Sequence, residues 1–248
     1  MNHLKRYTKS YYQEIHFSSA SSAKALVPLI NEIIHPNSVV DVGCGTGIWL
    51  NEWEKYGVSD YIGLDGDYIN KDQLMIPKEK FLHVNLDDGF QLPRKYELVV
   101  CLEVAEHIQS AAATKFVGSL CNAGDVILFS AAIPGQGGLN HLNEQYPDYW
   151  AKLFEQNGFS PYDYIRQQIW LNENIHACYR QNLLFYVRDE AKQKYPLLIK
   201  NGTSLIPIIH PHFYEDKKQE IAALNKILKN PLRIILFYIK GLLRRLRF

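Results

Sequence analysis

The strongest constraint on the fold is a strand-like run that leads into a glycine-rich loop and then into a helix-like segment. The largely β-branched run Val39–Val42 is followed by glycine at every second position, at Gly43, Gly45 and Gly47, and an apolar helical pattern begins at Ile48. Glycine tolerates unusual dihedral angles and leaves room for a ligand, and the amides at a helix start point toward that ligand. The pattern predicts either a nucleotide-like ligand at the loop or a tight turn without a ligand.

Beyond this loop, the chain alternates strand-like and helix-like segments. Some strands are continuous apolar runs, as at residues 97–102 and 126–129, which is typical of parallel strands buried on both faces. Such alternation favours an α/β fold. Strands are predicted at residues 38–44, 60–65, 80–86, 97–104, 125–133, near 161–170 and at 181–188, and helices at 20–34, 47–56, 113–122 and 146–157. We therefore predict a Rossmann-like, doubly wound, mostly parallel sheet of seven strands with a helical C-terminal extension.

The length of 248 residues, 47% of them hydrophobic, suits one catalytic domain with an appendage. We predict a domain over residues 1–190, in which residues 1–35 form an N-terminal cap and helix, and a helical extension over residues 191–248. Within the extension, Asn230-Pro231 interrupts the helical pattern. The aromatic side chains of segment 1–19 either cover the ligand or pack at the edge of the sheet.

Charge and cysteine content narrow the partners and the environment. The formal net charge of +1 provides no field to attract a polyanion, so no nucleic-acid partner is expected. The four cysteines form no C-x-x-C pair, which indicates reduced thiols in a cytoplasmic protein. No apolar run reaches the about 20 residues of a membrane span. The apolar and basic tail 231–248 predicts peripheral contact with the inner face of a membrane or with a partner, or packing within the chain or a homodimer.

The spacing of the glycines distinguishes two kinds of nucleotide site. The dinucleotide-binding loop G-x-G-x-x-G would have its third glycine at position 48, but that residue is Ile48 and the glycine comes one residue earlier. The spacing D-x-G-x-G-x-G, beginning at Asp41, resembles the first motif of class I S-adenosylmethionine-dependent methyltransferases. The resemblance implies that the loop holds the methionine part of S-adenosylmethionine, through Asp41, Gly43, Cys44, Gly45 and Gly47.

The next two strands end in polar residues that suit the rest of such a cofactor. Asp65 lies about 20 residues after the first glycine, where a ribose-binding acid is expected, although it would serve equally as a helix cap and Asp67 is an alternative. In many relatives, the third strand ends in an aspartate that faces the adenine amino group. Asn85 stands there and its amide can accept the same hydrogen bond, with Asp87 as the alternative. The predicted cofactor contacts here are Asp65, Gly66, Asn85 and Leu86.

A second cluster follows the fourth predicted strand. Glu103, Glu106 and His107 place three metal-capable side chains within a short segment, which packing alone does not explain. The E-x-x-E-H pattern resembles O-methyltransferases, among them ubiquinone-biosynthesis enzymes and small-RNA 2′-O-methyltransferases. The latter resemblance implies a divalent cation, Mg or Mn, held by Glu103, Glu106, His107 and, from the next loop, His141. The alternatives are His107 or His141 as a general base without a cation, and a Glu103 that caps the turn and contacts the cofactor.

The loop after the fifth predicted strand is the remaining functional candidate. Its glycines and its dense polar end predict a segment that closes on an acceptor. The hydroxyl-recognising candidates are His141, Asn143, Glu144 and Gln145, one of which caps the following helix instead. The aromatic-rich segments Tyr146–Trp150 and Ile169-Trp170 form either an acceptor wall or core.

These segments together resemble bacterial methyltransferases of surface-polysaccharide and glycan biosynthesis. The resemblance rests on residues 130–138, on the N-E-Q sequence at 143–145 and on Tyr149-Trp150. It implies O-methylation of a sugar, a sugar phosphate or a nucleotide-activated precursor, with His107, His141 and Glu106 as the catalytic residues. The alternatives are an O-methyltransferase of a small aromatic or quinone metabolite and a non-catalytic binding subunit.

Overall fold

The computed structural model describes residues 9–202, 205 and 208–228, with side chains described between residues 18 and 226. This part of the chain forms a seven-stranded sheet with helices on both sides. The strands are β1 Ser38–Val42, β2 Asp60–Asp65, β3 Phe81–His83, β4 Leu98–Leu102, β5 Val126–Ser130, β6 Phe159–Tyr162 and β7 Leu184–Arg188. The α-helices are α1 Lys9–Ile34, α2 Ile48–Lys55, α3 Ala113–Ala123, α4 Pro147–Glu155, α5 Arg166–Ile169, α6 Ala177–Asn182, α7 Pro196–Asn201 and α8 Pro211–Leu228.

The strand order is β3-β2-β1-β4-β5-β7-β6, which places the first strand at the centre of the sheet. The first five strands pair in parallel, whereas β7 runs antiparallel to both β5 and β6. Ligands of such sheets bind beyond the carboxyl ends of the strands, near the point where the strand order reverses. Here that point lies between β1 and β4. The prediction of a mostly parallel, doubly wound, Rossmann-like sheet is confirmed.

The core explains why the central strands are continuous apolar runs. Every residue of β1, β4 and β5 is buried, because helices cover both faces of the sheet. Phe129 of β5 contacts Trp150 and Phe154 of α4, and Phe154 stacks on Tyr186 of β7 with a centroid distance of 3.9 Å. Trp150 is 2% exposed and Ile169 is 0% exposed. Of the two roles left open by the sequence, these two residues therefore take the core role.

Several predicted elements differ from the structure in their extent, and two of them differ most. The first helix begins at Lys9 and not at residue 20, so part of the predicted N-terminal cap belongs to it. The strand predicted near 161–170 ends at Tyr162, and α5 follows. A buried ion pair between Asp163 and Arg166 spans this change, in which Arg166 Nε donates to Asp163 Oδ1 at 2.9 Å. The alternation of aromatic and polar residues does not reveal that pair.

The chain divides into two compact units between Ile208 and Ile209. The sheet lies in the first unit, and the second contains α8. The sequence places the end of the methyltransferase domain at residue 190, and that boundary stays a prediction. The proposed membrane or partner segment 231–248 lies outside the described residues. Among the helices that the structure describes, none combines the length and apolar character of a membrane span.

Candidate active site

The glycine loop after β1 has a backbone conformation that favours glycine. Gly43, Gly45 and Gly47 have φ angles of 79°, 55° and 84°. A Cβ atom on Gly43 would lie 2.3 Å from Val104 Cγ2, and one on Gly47 would lie 2.8 Å from Ile76 Cγ1. A Cβ on Gly45 would meet no described atom within 4 Å. Gly43 and Gly47 therefore allow close packing against Val104 and Ile76, and Gly45 leaves open space beside the loop that a ligand could occupy.

Backbone amides fasten this loop to the end of β2. The Gly43 and Cys44 amides donate to the Leu64 carbonyl at 2.7 and 3.1 Å, and the Gly45 amide donates to Asp65 Oδ2 at 2.7 Å. The Cys44 side chain is buried, and burial raises the pKa of its thiol well above the ordinary value. Cys44 therefore contributes its backbone and a neutral thiol to the site. All four cysteines are buried and unpaired, as the sequence predicts for core residues.

Two buried carboxylates lie under the loop. Asp65 Oδ1 accepts hydrogen bonds from the Gly66 amide at 2.7 Å and from the Tyr68 hydroxyl. Asp41 Oδ2 has no hydrogen-bond partner among the described residues. Burial, together with the nearby Asp65, raises the pKa of Asp41 to about 8. A positively charged ligand group would stabilise the ionised form of such a carboxyl, so the loop suits a ligand with a cationic part.

The predicted adenine contacts already have hydrogen-bond partners within the protein. Asn85 Oδ1 accepts from the Asp87 amide at 3.3 Å, and Asn85 Nδ2 donates to Asp88 Oδ2 at 2.6 Å. Asp87 Oδ1 accepts from the Gln109 amide at 2.9 Å. Leu86 is buried beside them. The structure therefore places these residues at the end of β3, and their contact with adenine stays a prediction.

The second cluster forms at the carboxyl end of β4. Glu106 and His107 lie on a short turn, Ala105–His107, and His141 reaches them from the loop after β5. Each of the three side chains offers a ligand atom, and these atoms lie within 4.8 Å of one another. Glu106 is 0% exposed, and neither of its carboxylate oxygens has a hydrogen-bond partner among the described residues. A buried carboxylate without partners is costly, which favours a ligand or proton at this position.

The hydrogen bonds of His107 and His141 indicate which ring nitrogen is a donor and which one faces the cluster. His107 Nδ1 lies 3.2 Å from the Asn140 carbonyl, and His141 Nδ1 lies 2.8 Å from Glu144 Oε1. Both partners are acceptors, so Nδ1 is the donor in each ring, and in a neutral ring the lone pair lies on Nε2. Burial and the neighbouring His141 lower the pKa of His107, which keeps that ring neutral. Each Nε2 is therefore available as a metal ligand or as a base.

The same cluster disfavours negative charge on Glu106. Burial raises the pKa of Glu106 well above its ordinary value, and the nearby Glu103 adds to the effect. His141 Nε2 lies 4.0 Å from Glu106 Oε1, and the two histidine rings meet edge to face with a centroid distance of 4.9 Å. The turn is fixed to the next loop, because the Glu106 carbonyl accepts from the Leu142 and Asn143 amides. The site therefore brings acidic and imidazole groups together in one cluster.

Glu103 lies beside this cluster but has different partners. Its Oε2 accepts from Gln136 Nε2 at 2.9 Å and its Oε1 accepts from Asn182 Nδ2 at 3.1 Å. Burial raises its pKa, and the hydrogen bonds from Asn182 and Gln136 oppose that rise. Of the four predicted ligands, the structure thus brings together Glu106, His107 and His141, and Glu103 is not in that group.

Sequence reasoning missed the partners of Glu103. Asn182 ends α6, far along the chain, and no motif surrounds it. Gln136 lies in the glycine-rich loop after β5, where the sequence pattern points to the glycines and to the polar residues 141–145. Asn182 Nδ2 also donates to Gln136 Oε1 at 2.9 Å, so three elements of the chain meet at one carboxylate. Only the folded arrangement reveals this network.

The comparisons with known proteins agree with the fold and the loop. A family model described as a methyltransferase domain matches residues 12–171. The search among curated proteins by sequence gives no match. The chain belongs to the methyltransferase-domain family, because the matched region covers more than half of it.

Solved structures with the same fold are distant in sequence. The sugar N-methyltransferase KedS8 from a Streptoalloteichus species is 14% identical, with a TM-score of 0.57 over 76% of this chain and 95% of that one. The SAM-bound amino pentose methyltransferase CalS10 from Micromonospora echinaspora is 15% identical, with a TM-score of 0.53 over 75% and 100%. The SAM-bound magnesium protoporphyrin IX methyltransferase from Synechocystis is 20% identical, with a TM-score of 0.52 over 72% and 82%.

The family and the fold define a class of enzyme. The glycine loop, the strand order and the family match together confirm the prediction of an S-adenosylmethionine-dependent methyltransferase. The narrower resemblance to O-methyltransferases of the E-x-x-E-H type stays a prediction.

Proposed function

We propose that this methyltransferase transfers the methyl group of S-adenosylmethionine to a hydroxyl of a sugar, a sugar phosphate or a nucleotide-activated sugar. The observation that carries the proposal is the cluster of Glu106, His107 and His141 at the carboxyl end of β4. In the sheet, β4 lies next to β1, which leads into the glycine loop. Glycan or capsule biosynthesis is the context that the sequence resemblance implies.

The cofactor half of the proposal rests on the loop and its carboxylates. Space beside Gly45 would receive the ligand, and the buried Asp41 carboxylate favours a cationic group nearby. S-adenosylmethionine carries such groups in its ammonium and sulfonium. Asp65 lies at the end of β2, where a ribose-binding acid is expected.

The hydroxyl half rests on the free imidazole nitrogens. In the reaction, the acceptor oxygen attacks the methyl carbon in line with the C–S bond, that bond breaks, and sulfur leaves as the neutral thioether of S-adenosylhomocysteine. The hydroxyl proton must pass to a base, and Nε2 of His107 or of His141 can receive it. A neutral His107 suits this task because the pKa of its ring is lowered.

The cluster also fits a divalent cation. Two imidazole nitrogens and one carboxylate are a donor set for Mn or similar ions, and the two oxygens of Glu106 that lack partners are the specific observation in favour. When bound, such an ion would supply Lewis-acid assistance to the acceptor hydroxyl. The residues that would hold it are Glu106, His107 and His141.

A sugar-type acceptor is supported by two structural neighbours, one a sugar N-methyltransferase and the other an amino pentose methyltransferase. An oxygen acceptor is supported by the free bases of the cluster, because a hydroxyl is a poor nucleophile until its proton is removed.

The first test is a calorimetric titration with S-adenosylhomocysteine, in Mn-containing buffer and again with EDTA, followed by methyl transfer to a panel of nucleotide sugars that includes one amino sugar. We expect His107→Ala and His141→Ala each to abolish turnover and to leave S-adenosylhomocysteine affinity within a few-fold. His212→Ala is the matched control, because His212 is exposed and lies in the second unit. Absence of S-adenosylhomocysteine binding would refute the proposal. Methylation of the amino sugar alone would show that the acceptor atom is nitrogen and not oxygen.

A further inference from the structure

One loop provides the hydrogen-bond acceptors that orient both histidines of the cluster. The loop follows β5, and we call residues 134–144 the glycine loop of β5. Its Asn140 carbonyl lies 3.2 Å from His107 Nδ1, and its Glu144 carboxylate lies 2.8 Å from His141 Nδ1. Asn140 has a φ of 61°, so the backbone takes a left-handed conformation at the residue whose carbonyl faces His107.

Glu144 is the residue that fastens this loop. Its Oε1 accepts from the Gly137 amide and its Oε2 from the Gly135 amide, both at 2.8 Å, in addition to the bond with His141. Gly135 and Gly137 have φ angles of 85° and 75°, which lets their amides turn toward one carboxylate. Burial opposes ionisation, but the hydrogen bonds from His141, Gly135 and Gly137 hold the pKa of Glu144 below its ordinary value.

A second feature restricts the His141 ring from the other side. A Cβ atom on Gly138 would lie 2.1 Å from His141 Nε2. The ring therefore lies directly against the backbone of the loop, while Glu144 holds its Nδ1. With both constraints, Nε2 remains 4.0 Å from Glu106 Oε1.

We infer that Glu144 is a positioning residue, which orients His141 within the cluster and folds the glycine loop of β5 onto it. The inference rests on the proposed function for the role of His141. The sequence placed Glu144 among residues that recognise an acceptor hydroxyl. That role stays a prediction, and the two oxygens of Glu144 accept three hydrogen bonds from the chain itself. Carboxylates that hold the second nitrogen of a histidine fix its tautomer and its direction.

The test compares Glu144→Ala and Glu144→Gln with the wild type in the full chain. Asp148→Ala is the matched control, because Asp148 is a nearby carboxylate that makes an exposed ion pair with Lys152. Nitrogen-15 NMR reports the His141 tautomer, and titration with Co²⁺ alone reports the cluster. We expect Glu144→Ala to lose the Nδ1-protonated tautomer and to weaken Co²⁺ binding by about 10- to 100-fold. S-adenosylhomocysteine affinity should stay within about twofold of the wild type, since Glu144 does not touch the first glycine loop.

Glu144→Gln keeps an acceptor for His141 and should retain the tautomer, with an intermediate affinity for Co²⁺. If Glu144→Ala does not fold, the Glu144→Gln variant alone tests the inference. A Glu144→Ala protein with the tautomer and Co²⁺ affinity of Asp148→Ala would overturn the inference. If the wild type binds no Co²⁺ but the tautomer still changes, the positioning role stands and the cation part of the proposed function fails.

Discussion

The carboxyl edge of the sheet has two parts that are built in different ways. We call the part with the Gly43–Gly47 loop and Asp65 the cofactor half, and the part with Glu103 and the Glu106, His107 and His141 cluster the acceptor half. In the cofactor half, the loop after β1 contacts the end of the neighbouring β2 through backbone amides, and positive φ angles fall on glycines. In the acceptor half, side chains from distant segments meet, as Glu103 does with Asn182. There, positive φ angles fall on Glu103 and Asn140 as well as on glycines.

This difference shows which part of an enzyme a local pattern can encode. A glycine spacing specifies a backbone shape by itself, because φ preferences act within single residues. A cluster of side chains depends on where the rest of the chain places each group. The cofactor half should therefore fail when its backbone is changed, and the acceptor half when one polar group is changed.

The largest effect is expected for Gly43→Ala. The added Cβ would meet Val104 Cγ2 at 2.3 Å, and the left-handed backbone is unfavourable for alanine. We expect a loss of about 3 kcal/mol in the free energy of unfolding, together with loss of S-adenosylhomocysteine binding. Urea unfolding and calorimetry measure the two effects.

Gly45→Ala is the matched variant, because its Cβ would point into open space. It should cost only about 1 kcal/mol of stability, yet weaken S-adenosylhomocysteine binding by about tenfold or more. If Gly45→Ala binds normally, the ligand does not lie against this glycine and the comparison between the halves loses its basis.

The second prediction separates the two glutamates of the acceptor half. Glu106→Gln should reduce affinity for Mn²⁺ by about 100-fold, because Glu106 belongs to the three-residue group, whereas Glu103→Gln should change it by less than about threefold. Titration monitored by the electron paramagnetic resonance of Mn²⁺ measures both. Equal losses in the two variants would restore Glu103 to the ligand set that the sequence resemblance implies.

The third prediction concerns pH and Asp41. The folded chain keeps the Asp41 proton up to a pKa of about 8, whereas the ordinary value is 3.8, so the unfolded chain releases the proton first and stability falls between these values as pH rises. Asparagine does not titrate. Asp41→Asn should therefore gain melting temperature relative to the wild type as pH rises from 4 to 8, while S-adenosylhomocysteine affinity falls by about tenfold. A pH-independent difference in melting temperature would contradict the assignment.

The smallest effect is expected for Tyr68→Phe. Tyr68 is 70% exposed, although its hydroxyl donates to Asp65. The hydrogen bond ends on a buried carboxylate, but its donor ring lies mostly in solvent, so thermal unfolding should show a loss below about 1 kcal/mol. Affinity for S-adenosylhomocysteine should hold or rise slightly, because the change leaves Asp65 Oδ1 with one donor fewer. A large loss of affinity would mean that Tyr68 itself contacts the cofactor.

The sequence predicts the cofactor half better than the acceptor half for a physical reason. The Gly43–Gly47 loop and Asp65 follow from strand ends and residue spacing, which are local properties. Asn182 could not be found, since its approach to Glu103 depends on how α6 packs against the sheet. Asn140 could not be found either, because it acts through a backbone carbonyl that every residue carries. The end of the strand predicted near 161–170 likewise lies beside a buried side-chain pair that the local pattern does not show.

Glu103 has a consequence for any effort to make this enzyme more heat-resistant. Its φ of 54° lies in the left-handed region, where a residue with a Cβ is disfavoured by about 1–2 kcal/mol relative to glycine. Glycine at this position would relieve that strain. The same replacement would remove the carboxylate that joins Gln136 and Asn182 and would leave their amides without this acceptor. Any gain in melting temperature from Glu103→Gly would therefore come with an emptied acceptor half.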